Sequence, residues 1–331
     1  MTVPIEVSRL RTLVLARLSQ VFGSSQAERM ADVVMFAELS GRSTHGIIRL
    51  LPGRKGPVDE RPGPDPVIHR TAPAAARVDG RPGMLVASIA VDTVLDIASE
   101  HGFAVVTAVG SSSSSGSLTY YVDRLARADL VSFVSGNTLA FATPPGGQAR
   151  MLGTNPFSIG IPAEPHPFVF DIGTSAITFG DVLETDAADE LLPQEVAVDR
   201  DGNPTRQPGE VLNGGSLLTF GGHKGLGLAM AVEVMAGALA GSAAAPVGPD
   251  DVWGHVFVAF STGMIGDPAT IRADASAILA RLRATPMAPN REVRIPGERS
   301  LSSRDAAMER GVVEVDEASL DELLDLVGES R

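Results

Sequence analysis

Residues Thr219-Phe220-Gly221-Gly222-His223-Lys224-Gly225-Leu226-Gly227 constrain this chain more than any other stretch. The glycines force a tight turn, and the apolar residues after them predict a helix running to about Gly241. No Gly-x-x-x-x-Gly-Lys-Ser/Thr is present, and no Gly-x-Gly-x-x-Gly follows a strand. P-loop and Rossmann geometries are therefore excluded, and any nucleotide site must be built differently. Arginine has displaced lysine almost everywhere, leaving only Lys55 and Lys224. A helix start among glycines lets backbone N–H groups approach an anion. Lys224 there suits a cofactor phosphate or a substrate carboxylate. The same letters also suit a plain glycine turn with an incidental surface lysine.

The chain has 331 residues, enough for a large core in two domains or in one domain with insertions. A net charge of -13 argues against nucleic acid and anionic membranes as partners. Cysteine is absent, which excludes disulfides and thiolate zinc sites, and no metal site is expected. The N-terminus has no long apolar run, so a cytoplasmic protein is expected.

Leu10, Leu13, Val14, Leu18 and Val21 share one face of a predicted helix over 5–22. Ser25 and Glu28 form a capping-box pattern ahead of a second helix with Met30, Val33, Val34 and Ala37 as its stripe. Ser43-Thr44-His45-Gly46-Ile47-Ile48-Arg49-Leu50 then gathers a hydroxyl, an imidazole and a guanidinium. His45 can move protons near neutral pH, and Arg49 can clamp a carboxylate. On a helix the two would be i,i+4 neighbours; a capped helix start with a surface arginine is the plain alternative. Residues 52–83, rich in proline, glycine and arginine, read as an irregular crossing or as strands broken by turns.

A helix over 87–101 and a strand over 103–109 lead into Gly110-Ser111-Ser112-Ser113-Ser114-Ser115-Gly116. Such serine runs are usually linkers, but this one lies between a strand and a helix, where a ligand loop is an equal reading. Strand and turn signals dominate 130–180. Residues 183–195 are acidic and solvated, or a surface helix, and Asp199–Pro204 reads as a turn. A strand over 254–261 precedes a helix begun by Asp267-Pro268, with Ile271, Ala275, Ile278 and Leu282 as its stripe. A last amphipathic helix holds Leu320, Leu323, Leu324 and Val327.

Several motifs in order resemble the non-Rossmann malate/L-lactate dehydrogenase-like oxidoreductases. They are Ser43–Leu50, Leu152-Gly153-Thr154-Asn155-Pro156, Phe170-Asp171-Ile172-Gly173-Thr174-Ser175-Ala176, Gly221–Gly225 and Arg294-Ile295-Pro296-Gly297-Glu298-Arg299. The resemblance covers about residues 5–325. Leu212-Asn213-Gly214-Gly215-Ser216-Leu217-Leu218 and Gly180-Asp181 are most similar to the cyclic ketimine reductase branch, which acts on Δ1-piperideine-2-carboxylate and Δ1-pyrroline-2-carboxylate.

The resemblance implies an α/β fold with a largely antiparallel or mixed sheet flanked by helices, and a homodimer. It implies a helical substrate and dimerisation part over 1–69 with 290–331, and an NAD(P)-binding sheet domain over 70–289. By position it makes His45 the catalytic histidine, Thr44 the replacement for the family's serine, Asp181 the acid of a relay, and Arg49 the carboxylate clamp. It places cofactor contacts at His166, Pro167 and Phe168, at Thr174 and Ser175, at His223 and Lys224, and at Arg294, Gly297, Glu298 and Arg299. The nearby arginines favour NADPH, with NADH as the alternative.

Two departures bear on chemistry. Dehydrogenase members carry a second histidine that falls at Ser114, here a candidate substrate contact, and a tyrosine that falls near Gly53. Reducing a ketone requires a proton on the nascent alkoxide, and losing a positioned acid costs roughly 10²–10⁴-fold. A cyclic imine can arrive already protonated. The expected activity is therefore NAD(P)H-dependent reduction of a small carboxylate-bearing cyclic imine. The alternatives are a 2-hydroxy acid dehydrogenase, and a family member that binds a nucleotide or metabolite without hydride transfer.

Overall fold

The structure, a computed structural model, describes residues 1–60, 62–242, 252–286 and 292–330. The chain opens with β1 (Thr2–Glu6), α1 (Val7–Ser19) and α2 (Ser24–Leu39), followed by short 3₁₀ turns at Ser43–His45, Ile47–Leu50 and Pro57–Asp59. A hairpin of β2 (Val67–Ala72) and β3 (Ala75–Asp79) leads through α3 (Gly83–His101) to β4 (Phe103–Ser111), α4 (Leu118–Arg127) and β5 (Leu130–Gly136). Next come β6 (Phe157–Ile161), β7 (Phe168–Ile172), α5 (Phe179–Ala187), β8 (Ala197–Val198), α6 (Pro208–Leu212) and β9 (Ser216–Leu217). Helix α7 (His223–Glu233) continues as a π-helix over Val234–Leu239. The chain closes with β10 (Trp253–Ser261), α8 (Pro268–Arg283), α9 (Glu298–Arg310), β11 (Val312–Asp316) and α10 (Glu317–Val327).

The main sheet has seven strands in the order β2-β3-β4-β10-β5-β6-β7. Strands β2 and β3 pair antiparallel and β3 and β4 parallel, so the sheet is mixed, as the resemblance implied. The antiparallel pair has a two-residue connection; the parallel pair needs a longer crossover, which α3 supplies.

Four local expectations are corrected. Residues 5 and 6, expected to begin a helix, end a strand instead, because β11 pairs with residues 2–6 from Thr2↔Asp316 to Glu6↔Val312. The capping box at Ser25 and Glu28 does not form: Gly23 caps α2 without a side chain, and Glu28 takes the Arg11 guanidinium at 2.6 Å. The glycine-rich helix changes to π geometry at Val234, where Ala236 O comes so close to Gly254 that a Cβ there would lie 1.9 Å from it. Helix α8 has its apolar stripe but buries none of its residues; Ile278 and Leu282 lie open.

The chain forms two compact units, whose boundaries do not fall at 69 and 289. One comprises 1–134, 158–171 and 257–331, the other 135–157 and 172–256. The core of the first is aliphatic, with Leu10, Leu13 and Leu18 of α1, Met30, Val33 and Val34 of α2 and Val91 and Val94 of α3 all at 0% exposure. Each such side chain contributes roughly 1.5–3 kcal/mol by leaving water. The second unit has a smaller core of Ala142, Leu152, Val182, Leu192, Val211, Leu217 and Ala229. The acidic stretch there begins as surface helix α5, which buries only Val182.

Candidate active site

In the larger unit, two 3₁₀ turns present the histidine and the arginine. They meet at Gly46, whose extended ψ of -140° interrupts the helix that would have made His45 and Arg49 i,i+4 neighbours. Hydrogen bonds relate the side chains instead. His45 Nδ1 lies 3.1 Å from Thr44 Oγ1, and Arg49 Nε donates to Thr44 O at 2.7 Å. A second arginine donor, Nη1, goes to Arg54 O at 2.6 Å. Nη2 has no partner among the described residues and remains able to meet an anion. Burial lowers the His45 pKa to about 3, with the Arg49 and Arg42 charges acting in the same direction. The imidazole is neutral at neutral pH.

The segment rests on a carboxyl group that sequence reading overlooked. Glu38 of α2 is 4% exposed and accepts from the Ile47 N–H at 2.8 Å. Its Oε2 would lie 1.7 Å from a Cβ at residue 46, so glycine is required there for contact rather than for an unusual φ. Burial raises the Glu38 pKa to about 7, opposed by the Ile47 hydrogen bond and assisted by Asp316. The clue in the sequence was the one acid in the apolar run Val33–Leu39.

Asp171 was singled out only as part of a motif. It accepts from Thr119 N at 3.2 Å and Thr119 Oγ1 at 2.7 Å, which caps α4, and lies 3.5 Å from Arg42. Ser114 is 8% exposed, and its N–H donates to Lys55 O at 2.7 Å. His166, just before the Pro167-Phe168 start of β7, lies 3.3 Å from Ser302 Oγ and 3.6 Å from Asp305 Oδ2. Gly297, at φ 86°, opens α9 against Val169 O, only 2.7 Å from where a Cβ would stand. Glu298 pairs with Arg283, Arg294 pairs with Glu292 at 2.7 Å, and Arg299 is the second residue of α9.

The smaller unit holds the other candidates. Thr174 N and Oγ1 both donate to Thr154 O, at 2.7 and 3.0 Å. Thr174 O accepts from Phe220 N at 3.1 Å, and Ser175 bridges Thr219. The Gly173-Thr174-Ser175 segment is thus laced to the glycine-rich turn. In that turn Gly221 and Gly222 have φ of 56° and 61°. A Cβ at residue 225 would meet Phe220 O at 2.2 Å. His223 and Lys224 are exposed at the start of α7, and no described residue takes their side chains. This open, cationic, glycine-lined helix start is chemically suited to a pyridine-nucleotide phosphate. Asp181 is the third residue of α5 and accepts from the Thr178 N–H at 2.8 Å, while its own N–H donates to Thr178 Oγ1 at 3.0 Å. That capping box occupies one of its oxygens.

Among the described residues there is no cluster of three metal-ligating side chains, and no helix is long and apolar enough to cross a membrane.

The fold as a whole occurs in solved oxidoreductases. Δ1-piperideine-2-carboxylate reductase from Pseudomonas syringae superposes with a TM-score of 0.85 at 29% identity, covering 98% of this chain and 100% of that one. The model of the malate/L-lactate dehydrogenase family matches residues 5–324, and this chain belongs to that family. Its relatives divide between two chemistries. The L-sulfolactate dehydrogenase of Methanothermobacter thermautotrophicus is 32% identical over 91% of this chain and 89% of its own length. The Δ1-pyrroline-2-carboxylate/Δ1-piperideine-2-carboxylate reductase of Pseudomonas putida is 31% identical over 98% and 97%.

Proposed function

We propose that this protein is an NAD(P)H-dependent reductase of a small cyclic imine bearing a carboxylate. The observation that carries the reading is the lone imidazole of His45 on the Arg49 segment, with a serine loop at the position where the family resemblance implies the dehydrogenases' second histidine.

Arg49 offers Nη2 to the substrate carboxylate while its other bonds fix the plane of the guanidinium. A neutral His45 is a poor donor to a ketone oxygen. It suffices for an imine, which binds as the iminium with the proton already on nitrogen. Thr44 Oγ1 orients the ring through Nδ1. Asp181 enters as the acid of a relay through the carboxylate oxygen its cap leaves open. The glycine turn with His223 and Lys224, the laced Thr174 and Ser175, and the His166–Phe168 and Arg294–Arg299 segments would hold the dinucleotide. When bound, that cofactor supplies the hydride. NADPH is preferred to NADH because arginines attend these segments.

A 2-hydroxy acid dehydrogenase is the second reading, favoured by the likeness to an L-sulfolactate dehydrogenase. A homodimer is the expected assembly. Titrating the protein with NADPH by fluorescence, then adding Δ1-piperideine-2-carboxylate, tests the first reading; malate and sulfolactate with NAD(P)+ test the second. NADPH binding with imine-dependent oxidation is the expected result. Turnover of the hydroxy acids alone would overturn it. Asp181→Asn should shift the pH profile of kcat; an unchanged profile would remove Asp181 from the relay.

A further inference from the structure

The serine run folds around a carboxylate. Glu60 Oε2 accepts from the Ser111 and Ser113 hydroxyls, each at 2.7 Å, and Oε1 accepts from the Ser112 N–H at 2.9 Å. Ser111 and Ser113 are 5% and 2% exposed, and Ser113 Oγ also accepts from Gly83 N at the start of α3. The neighbouring segment is locked to the same wall. Ser114 N donates to Lys55 O, and Asp59 accepts from Gly53 N and Gly56 N at 2.8 and 3.2 Å. Gly56 in turn packs on Arg49, with Arg49 O only 1.6 Å from where a Cβ would stand. Residues 49–60 and 111–114 therefore form one hydrogen-bonded wall, with the Arg49 guanidinium toward one end of the first segment and the Glu60 carboxylate at the other.

Neutral donors alone hold Glu60; among the described residues no arginine, lysine or histidine pairs with it. A carboxylate has about four acceptor directions, and three are used. Among the described residues its charge is therefore oriented and uncompensated. We infer that Glu60 is a specificity residue that recognises a cationic nitrogen on the substrate while Arg49 holds the substrate's carboxylate. The wall thus favours zwitterionic ring acids over dianions. It rests on the reading of Arg49 as the carboxylate clamp. Both charges are organised before the ligand arrives, so little ordering cost offsets their attraction. A second carboxylate on the ligand would meet like charge. An opposite charge a few ångströms away at an effective dielectric near 20 leaves, after desolvation, a preference of about tenfold or more.

The test uses two ring monocarboxylates that differ in one atom, L-pipecolate and cyclohexanecarboxylate. Each is titrated calorimetrically into the full chain with saturating NADP+ and without it. The wild type should prefer L-pipecolate by about tenfold. Glu60→Gln keeps an acceptor for Ser112 and a polar partner for the hydroxyls but removes the charge. It should lose that preference while cyclohexanecarboxylate affinity and Tm hold. Ser111→Ala with Ser113→Ala loosens the cage but leaves the charge, and should keep the preference. The inference is overturned if the wild type binds both rings alike or neither. It is also overturned if Glu60→Gln retains the preference or weakens both rings equally, or if the serine variant alone abolishes it. Arg49→Ala separates the underlying reading: loss of both ligands supports the clamp. Unchanged affinity for both with the preference intact removes the clamp but leaves Glu60.

Discussion

Arg49 and Lys224 are both cations beside glycines, yet one is tied and the other free. Arg49 gives Nε to Thr44 O and Nη1 to Arg54 O, and its loop is fastened by Asp59 and by the serine run. Lys224 stands exposed in a turn whose glycines have positive φ, and no described residue meets its ammonium. The ordering of the first segment is completed when the chain folds. In the second, side-chain ordering is left for the ligand, which lowers affinity for a given set of contacts. Substitutions at the first should therefore disturb both fold and turnover, and substitutions at the second only affinity.

The strongest test is His45→Ala, expected to lower kcat by about 10²-fold with NADPH binding unchanged, the low end for a proton-handling group because the iminium brings its own proton; a loss below about tenfold would end its role in proton handling. Arg49→Ala should raise substrate KM by about 10–10²-fold, since a charge-assisted contact is lost. It should also lower Tm, because Thr44 O and Arg54 O each lose a donor. An unchanged Tm would break the contrast between the two segments. Lys224→Ala should weaken NADPH about tenfold, most at low salt, without moving Tm. A destabilised Lys224→Ala protein would show that the turn is built in advance after all.

The smallest effect on activity and the sharpest on stability belongs to Glu38. Its pKa is about 7 in the fold against 4.5 as a free side chain, so the folded protein holds this proton more tightly. That contribution is fully present below about pH 4.5 and is lost as pH rises through 7. Glu38→Gln should therefore be more stable than wild type at pH 8, by an amount of order 1 kcal/mol or more, and should lose that advantage near pH 4. Thermal melts at the two pH values decide it. A constant difference would mean that the carboxyl is not buried neutral.

Residues that act through short-range pattern were readable. Leu10, Leu13 and Leu18, or Val91 and Val94, repeat at helical spacing and end in the core. Thr44, His45 and Arg49 stood out because they lie within six residues of one another. What escaped depends on partners far along the chain. The serine run read equally as a plain loop or a ligand loop because Glu60, which organises it, lies 51 residues away. The end of β1 looked like the start of a helix because β11 is some 300 residues off. Gly46 breaks the expected helix because a carboxyl from α2 occupies the space a side chain would need. The helix α8 stripe had the right period, but no periodicity states what will cover it.

The pairing of β1 with β11 also bears on how the protein is made. Thr2–Glu6 leaves the ribosome long before its partner Val312–Asp316, and Met1 O then accepts from Glu317 N at 3.0 Å. Until then Val3 and Ile5 sit on an unpaired strand, which is an invitation to wrong pairing. α10, which packs on α1, is made later still. A truncation ahead of Val312 therefore damages β1 as well, and the nascent strand needs protection until β11 has been made.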